Sequence, residues 1–390
     1  MTEAVPFGQK RVVFRLIVAG GGTGGHVFPA LTTVRALRAQ FADSAALEVL
    51  WVGQAGGLEE GVARAEGIEF AAVATGKLRR DRHLLKMINR ANITDMGRVP
   101  VGVAQAVRLV SRFRPNVVLT TGGYVSVPVG VGARVRRVPL VVHEQTVRLG
   151  LANRVLARVA AKVAVSSDSS VALLPRAARA VVTGNPVRPE ILHGHADKAI
   201  DALGVRGFNR DLPTVYVTGG AQGSVQINTV VRDLLPWLLA RANVIHQCGS
   251  SSIDHLRHHA ATLAPDQAAR YLVTEFIGPE LADVLALTDV VISRSGAGTL
   301  AELTALGKAA VLIPLASSAG NEQAHNALVL AEAGAAVALL GEVSAQTLRG
   351  AVEPLLANSE HRASIAEQAR LRGRPDAAER LAQVVRSAAR

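Results

Sequence analysis

Short, almost uniformly apolar runs recur along the chain, separated by longer stretches in which apolar and polar residues mix. A first series comprises Leu16 to Gly20, Leu47 to Val52, Phe70 to Ala74, Val117 to Thr121, Leu140 to His143, Val163 to Ser166 and Ala180 to Thr183. A second comprises Thr214 to Thr218, Val244 to Gln247, Leu272 to Phe276, Val290 to Ser293, Ala310 to Pro314 and Ala335 to Leu339. Runs of this kind are strands buried on both faces, and the stretches between them have the character of helices. The pattern therefore predicts an α/β protein of doubly wound, parallel sheets. It breaks at Thr183-Gly184-Asn185-Pro186-Val187-Arg188-Pro189, where two prolines and a glycine interrupt the alternation. Two Rossmann-like domains are expected, residues 12–187 and 188–375. A length of 390 residues exceeds what one core supports. Ligands of such sheets sit beyond the carboxyl ends of the strands, so two facing domains would line one cleft with strand-end loops.

Glycine and polar residues collect at those strand ends. The first strand runs into Gly20-Gly21-Gly22-Thr23-Gly24-Gly25-His26, and other ends carry Thr120-Thr121-Gly122-Gly123-Tyr124, His143-Glu144-Gln145, Thr218-Gly219-Gly220-Ala221-Gln222-Gly223-Ser224 and Ser293-Arg294-Ser295-Gly296-Ala297-Gly298-Thr299. A glycine turn lets backbone approach a ligand, and the first amides of the following helix lack internal partners, so an oxygen-rich or anionic ligand suits them. Gly20-x-Gly22-x-x-Gly25 also fits the dinucleotide fingerprint, which would make the protein a nicotinamide or flavin oxidoreductase. That fingerprint needs an acid at the end of the second strand. Here the second strand ends in Gly53-Gln54, and Glu59 and Glu60 lie well beyond it, which favours a sugar or phosphate site or a purely structural turn.

The net charge of +12 changes the picture because it is concentrated. Between Lys77 and Arg114 there are ten Lys/Arg against Asp81 and Asp95. Aromatic content of 3% leaves few stacking platforms, so nucleic acid is not the expected partner. Leu84, Leu85, Met87, Ile88, Ile93 and Met96 interleave with the cations. A basic rim around apolar residues suits an anionic bilayer surface, and an amphipathic helix with a solvated basic face suits the same pattern. No apolar run approaches 18 residues and Met1 to Arg15 has no secretory pattern, so a cytoplasmic protein is expected. The single cysteine, Cys248, excludes an internal disulfide and cannot alone make a metal site.

Together, Gly21-Gly-Thr-Gly-Gly-His26-Val-Phe-Pro29, Gly122-Gly-Tyr-Val-Ser126, His143-Glu-Gln145, Gly184-Asn-Pro-Val-Arg188, Thr274-Glu-Phe-Ile277, Arg294-Ser-Gly-Ala297, Glu302, Gln323, Asn326-Ala327 and Pro375-Asp-Ala377 resemble the MurG family of bacterial glycosyltransferases (glycosyltransferase family 28). The pieces keep the family's order over nearly the whole chain. The resemblance implies the GT-B fold, two facing Rossmann-like domains, with the last helix, 376–390, returning to the first. It also implies an inverting transfer of N-acetylglucosamine from UDP-GlcNAc to the 4-hydroxyl of the muramyl sugar in a polyprenyl-linked muramyl-pentapeptide, a step of peptidoglycan synthesis. A different lipid acceptor such as a glycerolipid, and UDP-sugar binding without turnover, are the alternatives.

Residue by residue, the resemblance places donor contacts at Thr23, Gly24 and Gly25, Arg188 on the diphosphate, and Ile277 beside the uracil. Ala297, Gly298, Thr299, Leu300 and Ala301 would lie along the donor at a helix start, Glu302 on the ribose and Gln323 on the sugar. Thr299-x-x-Glu302 also fits a capping box, which would place Glu302 there for helix stability alone, and Arg188 also fits a surface ion pair. His26 is the candidate general base, since imidazole titrates near working pH and a rigid turn places it. A purely positioning role is open to it, and His143 with Glu144 forms a competing pair. No Asp-x-Asp occurs, so no metal and no cofactor are expected, and Arg188 with a helix N-terminus would neutralise the departing pyrophosphate. The chain departs from the family at Thr146, where asparagine is usual, and at Ala221, where serine is usual. Contacts at Ala221 would then come from backbone, helped by Ser224. Under the resemblance, Lys77 to Val99 would dock on the cytoplasmic face of the plasma membrane, with other cell-wall synthesis proteins as further partners.

Overall fold

The computed structural model describes residues 13–41, 46–76, 90–175 and 179–390, apart from the side chains of residues 90–96 and 319. The chain forms two compact units: one runs to Pro186 and takes back Asp376–Arg390, and the other is Val187–Pro375.

The first unit is built on seven strands: β1 (Phe14–Gly20), β2 (Leu47–Gly53), β3 (Glu69–Ala72), β4 (Val117–Gly122), β5 (Leu140–Glu144), β6 (Lys162–Val165) and β7 (Ala180–Val182). They pair in parallel in the order β3-β2-β1-β4-β5-β6-β7. The second unit has β8 (Thr214–Thr218), β9 (Asn243–Gln247), β10 (Tyr271–Thr274), β11 (Val290–Ser293), β12 (Ala309–Leu312) and β13 (Val337–Ala338), again parallel, ordered β10-β9-β8-β11-β12-β13. Each of the thirteen apolar runs is a strand. Several are shorter than their pattern suggests, β3 and β13 among them. β3 stops at Ala72, although Val73 still donates its amide to Gly53 O, 3.0 Å. The half-buried edge strand β13 keeps two residues because only β12 pairs with it.

Alternation along a strand sends successive side chains to opposite faces, and both faces are covered. Leu16 and Val18 enter one core with Val27, Leu31, Val34 and Leu37, whereas Ile17 and Ala19 enter the other with Val110, Val118 and Val129. In the second sheet Val215 and Val217 join Ile227 and Leu235 on one side, and Tyr216 joins Leu300 and Leu312 on the other. The terminal helix Ala377–Ala388 buries Leu381, Ala382 and Val385 completely in the first unit's core beside Leu16. Arg390 O accepts from Asn116 Nδ2 at 2.7 Å.

Strand order decides where a ligand can enter. The chain leaves β1 toward β2 and β3, then crosses to the other side of β1 for β4, and β8 with β11 repeats the reversal. Loops leaving the carboxyl ends of such a pair diverge, which opens a crevice at β1/β4 and another at β8/β11. Of the basic, apolar stretch expected to meet a membrane, residues 77–89 lie outside the described residues, and 90–99 open the helix Arg90–Phe113. No helix among the described residues is long and apolar enough to cross a membrane.

Candidate functional site

At the β1/β4 switch the two turns press together so closely that side chains are excluded. A Cβ on Gly20 would collide with Thr121 Oγ1, and one on Gly123, whose φ is +85°, would collide with Gly21 O. The helix Gly24–Ala39 starts at once, and its first hydrogen bonds run from His26 N and Val27 N to Thr23 O (3.0 and 3.1 Å). The amides of Gly24 and Gly25 therefore have no partner within the helix. Gly25 and the extended N-cap Thr23 are exposed, and Thr23 makes no side-chain cap.

Sequence reasoning missed Glu59. It is 1% exposed and accepts from Gln54 N (2.9 Å) and Gly22 N (3.2 Å). This carboxylate anchors the glycine turn from beneath and takes one amide that a dinucleotide pyrophosphate would need, which removes the oxidoreductase reading of the fingerprint. The only sequence signal was an acid with no other task soon after β2.

His26, the third residue of its helix, lays its ring over Gly122, and its Nδ1 lies 3.3 Å from Gln145 Oε1. The competing pair is corrected by the structure. His143 is fully buried with Nε2 3.1 Å from Gly184 O, and burial pushes its pKa down to about 4, so it is a neutral core histidine. Glu144, its neighbour on β5, points the other way and is 2% exposed. Its Oε1 accepts from Thr146 N (3.1 Å) and Thr146 Oγ1 (2.8 Å), and its Oε2 from Gly150 N (2.9 Å) and Asn153 Nδ2 (3.0 Å). Three N–H donors, with a hydroxyl beside them, make this carboxylate an anchor for the loop after β5, not a proton acceptor. Thr146 spends its hydroxyl in that loop, on Glu144 or on Arg148 O at 2.6 Å, so no donor contact is presented there. Glu144→Ala is expected to destabilise the first unit by about 2–4 kcal/mol in urea denaturation, because stranded buried donors cost ~1–3 kcal/mol each. A carboxylate working in catalysis would instead lower turnover with stability intact.

The second unit holds the remaining residues, several of them at the β8/β11 switch. The helix Ala297–Leu306 is capped by Gly296, and its first bond runs from Leu300 N to Gly296 O at 3.0 Å, which leaves the amides of Ala297, Gly298 and Thr299 without partners in the helix. With Gly296 as cap, Glu302 stands in the second turn, so the capping-box explanation of this glutamate fails. Glu302 Oε1 instead accepts from Arg188 Nε at 2.9 Å, and Arg188 Nη2 lies 2.9 Å from the same oxygen. Burial pushes the Glu302 pKa up and the guanidinium opposes it. Two residues expected on different parts of a donor thus hold each other.

A hollow of about 440 Å³ lies at this switch, lined by Gly220, Ser224, Arg294, Gly296, Thr299 and Gln323 among others. Arg294, which sequence reasoning did not single out, donates to Ile313 O (3.0 Å), Pro314 O (2.9 Å), Gln226 Oε1 (3.0 Å) and Ser224 Oγ (2.7 Å). Its signal was a cation placed between a strand end and a glycine-led helix. Ser224 caps the helix Val225–Leu239 by accepting from Ile227 N at 3.3 Å, and it accepts from Arg294 as well, so its oxygen is held in place while its own hydrogen is left to donate at the edge of the hollow. Ala221 itself is exposed on the turn. Gln323 Oε1 accepts from Leu315 N at 3.0 Å. Ile277 is 3% exposed and its amide donates to Gln247 Oε1 at 2.9 Å, which commits one backbone group expected near the uracil. A hollow of similar size, about 450 Å³, opens at the amino ends of these strands beside Thr214, Asn243 and Asp289. Parallel sheets bind ligands at carboxyl ends, which makes the β8/β11 side the candidate site.

Comparison with known proteins agrees with both halves. The model of the glycosyltransferase family 28 N-terminal domain matches residues 16–165, and that of the C-terminal domain matches residues 214–381. The chain is 35% identical over 346 residues to the UDP-N-acetylglucosamine--N-acetylmuramyl-(pentapeptide) pyrophosphoryl-undecaprenol N-acetylglucosamine transferase of Lachnospira eligens, covering 88% of this chain and 91% of that one. It is 34% identical over 376 residues to the enzyme of the same name from Desulforudis audaxviator, covering 95% and 97%. Among solved structures, Acinetobacter baumannii MurG superposes with a TM-score of 0.75 at 25% identity over 96% of this chain and 99% of that one. The kitacinnamycin glycosyltransferase, at 17% identity and a TM-score of 0.67, shares the fold.

Proposed function

The chain belongs to glycosyltransferase family 28, and on that footing we propose that it moves N-acetylglucosamine from UDP-GlcNAc to the 4-hydroxyl of the muramyl sugar in a polyprenyl-pyrophosphoryl muramyl-pentapeptide, a step of peptidoglycan synthesis. The observation that carries this is 34–35% identity, over about nine tenths of the chain, to transferases named for that activity. The β8/β11 switch adds chemistry suited to a nucleotide diphosphate: a guanidinium, a buried carboxylate and a helix start with open amides.

The reaction forms a bond from the acceptor oxygen to the sugar's anomeric carbon and breaks the bond from that carbon to the UDP phosphate. His26 takes the acceptor's proton, and UDP leaves with the electron pair of the broken bond. Arg188 and Glu302 hold each other. Donor binding exchanges that pair for two contacts, ribose hydroxyls on Glu302 and diphosphate on Arg188. The amides of Ala297 to Thr299 add the helix dipole to the same charge. The proposal includes peripheral association with the cytoplasmic face of the membrane, where a polyprenyl-anchored acceptor resides, through the Lys77 to Val99 stretch.

Radiolabelled UDP-GlcNAc supplied with the lipid-linked muramyl-pentapeptide, with and without EDTA, tests the reading. Label is expected in the disaccharide lipid at the same rate under both conditions. Label appearing only in a glycerolipid, or donor binding with no transfer, would refute the proposed acceptor or the enzymatic role. Loss of transfer in EDTA would refute the metal-free stabilisation of the leaving group.

A further inference from the structure

We infer that Gln145 is a positioning residue that fixes the tautomer of His26, placing the ring proton on Nδ1 and leaving Nε2 as the proton-accepting nitrogen. The inference rests on the reading of His26 as the base, and it is derived bond by bond from backbone groups whose hydrogen-bonding sense cannot change.

Gln145 is 4% exposed, and its Nε2 lies 2.6 Å from Thr121 O. A carbonyl oxygen only accepts, so the amide must present its NH2 there. The flipped amide would set two oxygens against each other at that distance. A second carbonyl fixes the next ring: His143 Nε2 lies 3.1 Å from Gly184 O and must donate to it. His143 is buried and neutral, so its Nδ1 is then an acceptor. That Nδ1 sits 3.2 Å from Gln145 Nε2 and receives the second amide hydrogen. Both carbonyls therefore demand the same orientation of Gln145, and Oε1 is left facing His26 Nδ1 at 3.3 Å. An amide oxygen cannot donate, so His26 Nδ1 carries the hydrogen. The neutral ring then has its lone pair on Nε2.

The backbone holds this arrangement from both sides. Thr121 Oγ1 donates to His26 O at 2.7 Å, and Gly122, whose φ is +109°, has no side chain to push the ring away. The sense of hydrogen bonding thus passes from Gly184 O through His143 and Gln145 to His26. Sequence spacing gave no hint of it, because Gln145 lies 119 positions from His26.

The test uses the full-length protein labelled with 15N-histidine, with the His26 ring signals identified by their loss in His26→Asn. The unprotonated, pyridine-type nitrogen is expected to be Nε2 in the wild type. A wild-type spectrum with the proton on Nε2 overturns the inference without any mutant. In Gln145→Leu the proton is expected to move to Nε2, and kcat to fall about 10- to 100-fold, as when a group orienting a reactive imidazole is lost, with KM for UDP-GlcNAc unchanged. An unchanged His26 tautomer in Gln145→Leu overturns the inference. If His26→Ala transfers sugar at the wild-type rate, the base reading fails, while the spectra still decide whether Gln145 sets the tautomer.

Discussion

Replacing His26 with alanine is expected to lower kcat for sugar transfer by roughly 10²- to 10⁴-fold, the range in which a positioned general base contributes. KM for UDP-GlcNAc is expected to hold, because the residues proposed to hold the donor in the second unit are untouched. The size of the effect follows from where the ring is held. It stands on the third residue of a helix that begins directly after a glycine turn, with its backbone carbonyl bonded to Thr121 Oγ1 and its Nδ1 facing Gln145. An imidazole fixed this way loses little freedom when it meets a hydroxyl. Steady-state kinetics on the lipid acceptor check it, and a drop confined to acceptor KM would make His26 a binding residue instead. His143 and Glu144 do not replace it, since one is a buried neutral ring bonded to a carbonyl and the other accepts from three internal N–H groups.

Arg188→Ala is expected to lower kcat/KM for UDP-GlcNAc by about 10²- to 10³-fold, the scale on which removing one group that stabilises developing charge acts. Two losses coincide in it. The departing diphosphate loses a full positive charge, and Glu302 loses the cation that offsets its burial. Arg188→Lys restores the charge but not the fork that now places Nε and Nη2 on one carboxylate oxygen, so it is expected to recover only part of the rate. The pair also predicts non-additivity: once Glu302 is glutamine, replacing Arg188 costs less stability than it does in the native background. A purely structural ion pair would instead show a stability loss in Arg188→Ala with kcat/KM for UDP-GlcNAc unchanged.

Much of the fold was legible in the residues because its signals are local. Each strand of a doubly wound sheet is buried on both faces, so each announces itself as an apolar run. All thirteen runs are strands in the structure. Glycine clusters marked the strand ends because the close approach of two turns, as at Gly20 and Gly123, tolerates no Cβ. Even the break near Pro186 needed only two prolines and a glycine.

Side-chain partnership was not local, and there the sequence was silent or misleading. Glu59 reaches the amide of Gly22, 37 positions back, and Arg188 meets Glu302, 114 positions on. Thr299 and Glu302 have the spacing of a capping box, but Gly296 begins the helix and moves both residues past the cap. Ser224 takes its place from Arg294, 70 positions away. What the sequence determined by itself was the succession of elements and the places where backbone must be bare. The strand order of the two sheets brought distant strand ends together at β1/β4 and β8/β11 and so decided which polar groups face one another. Hydrogen bonds and ion pairs act over a few ångströms of space, whereas periodicity carries information only along the chain.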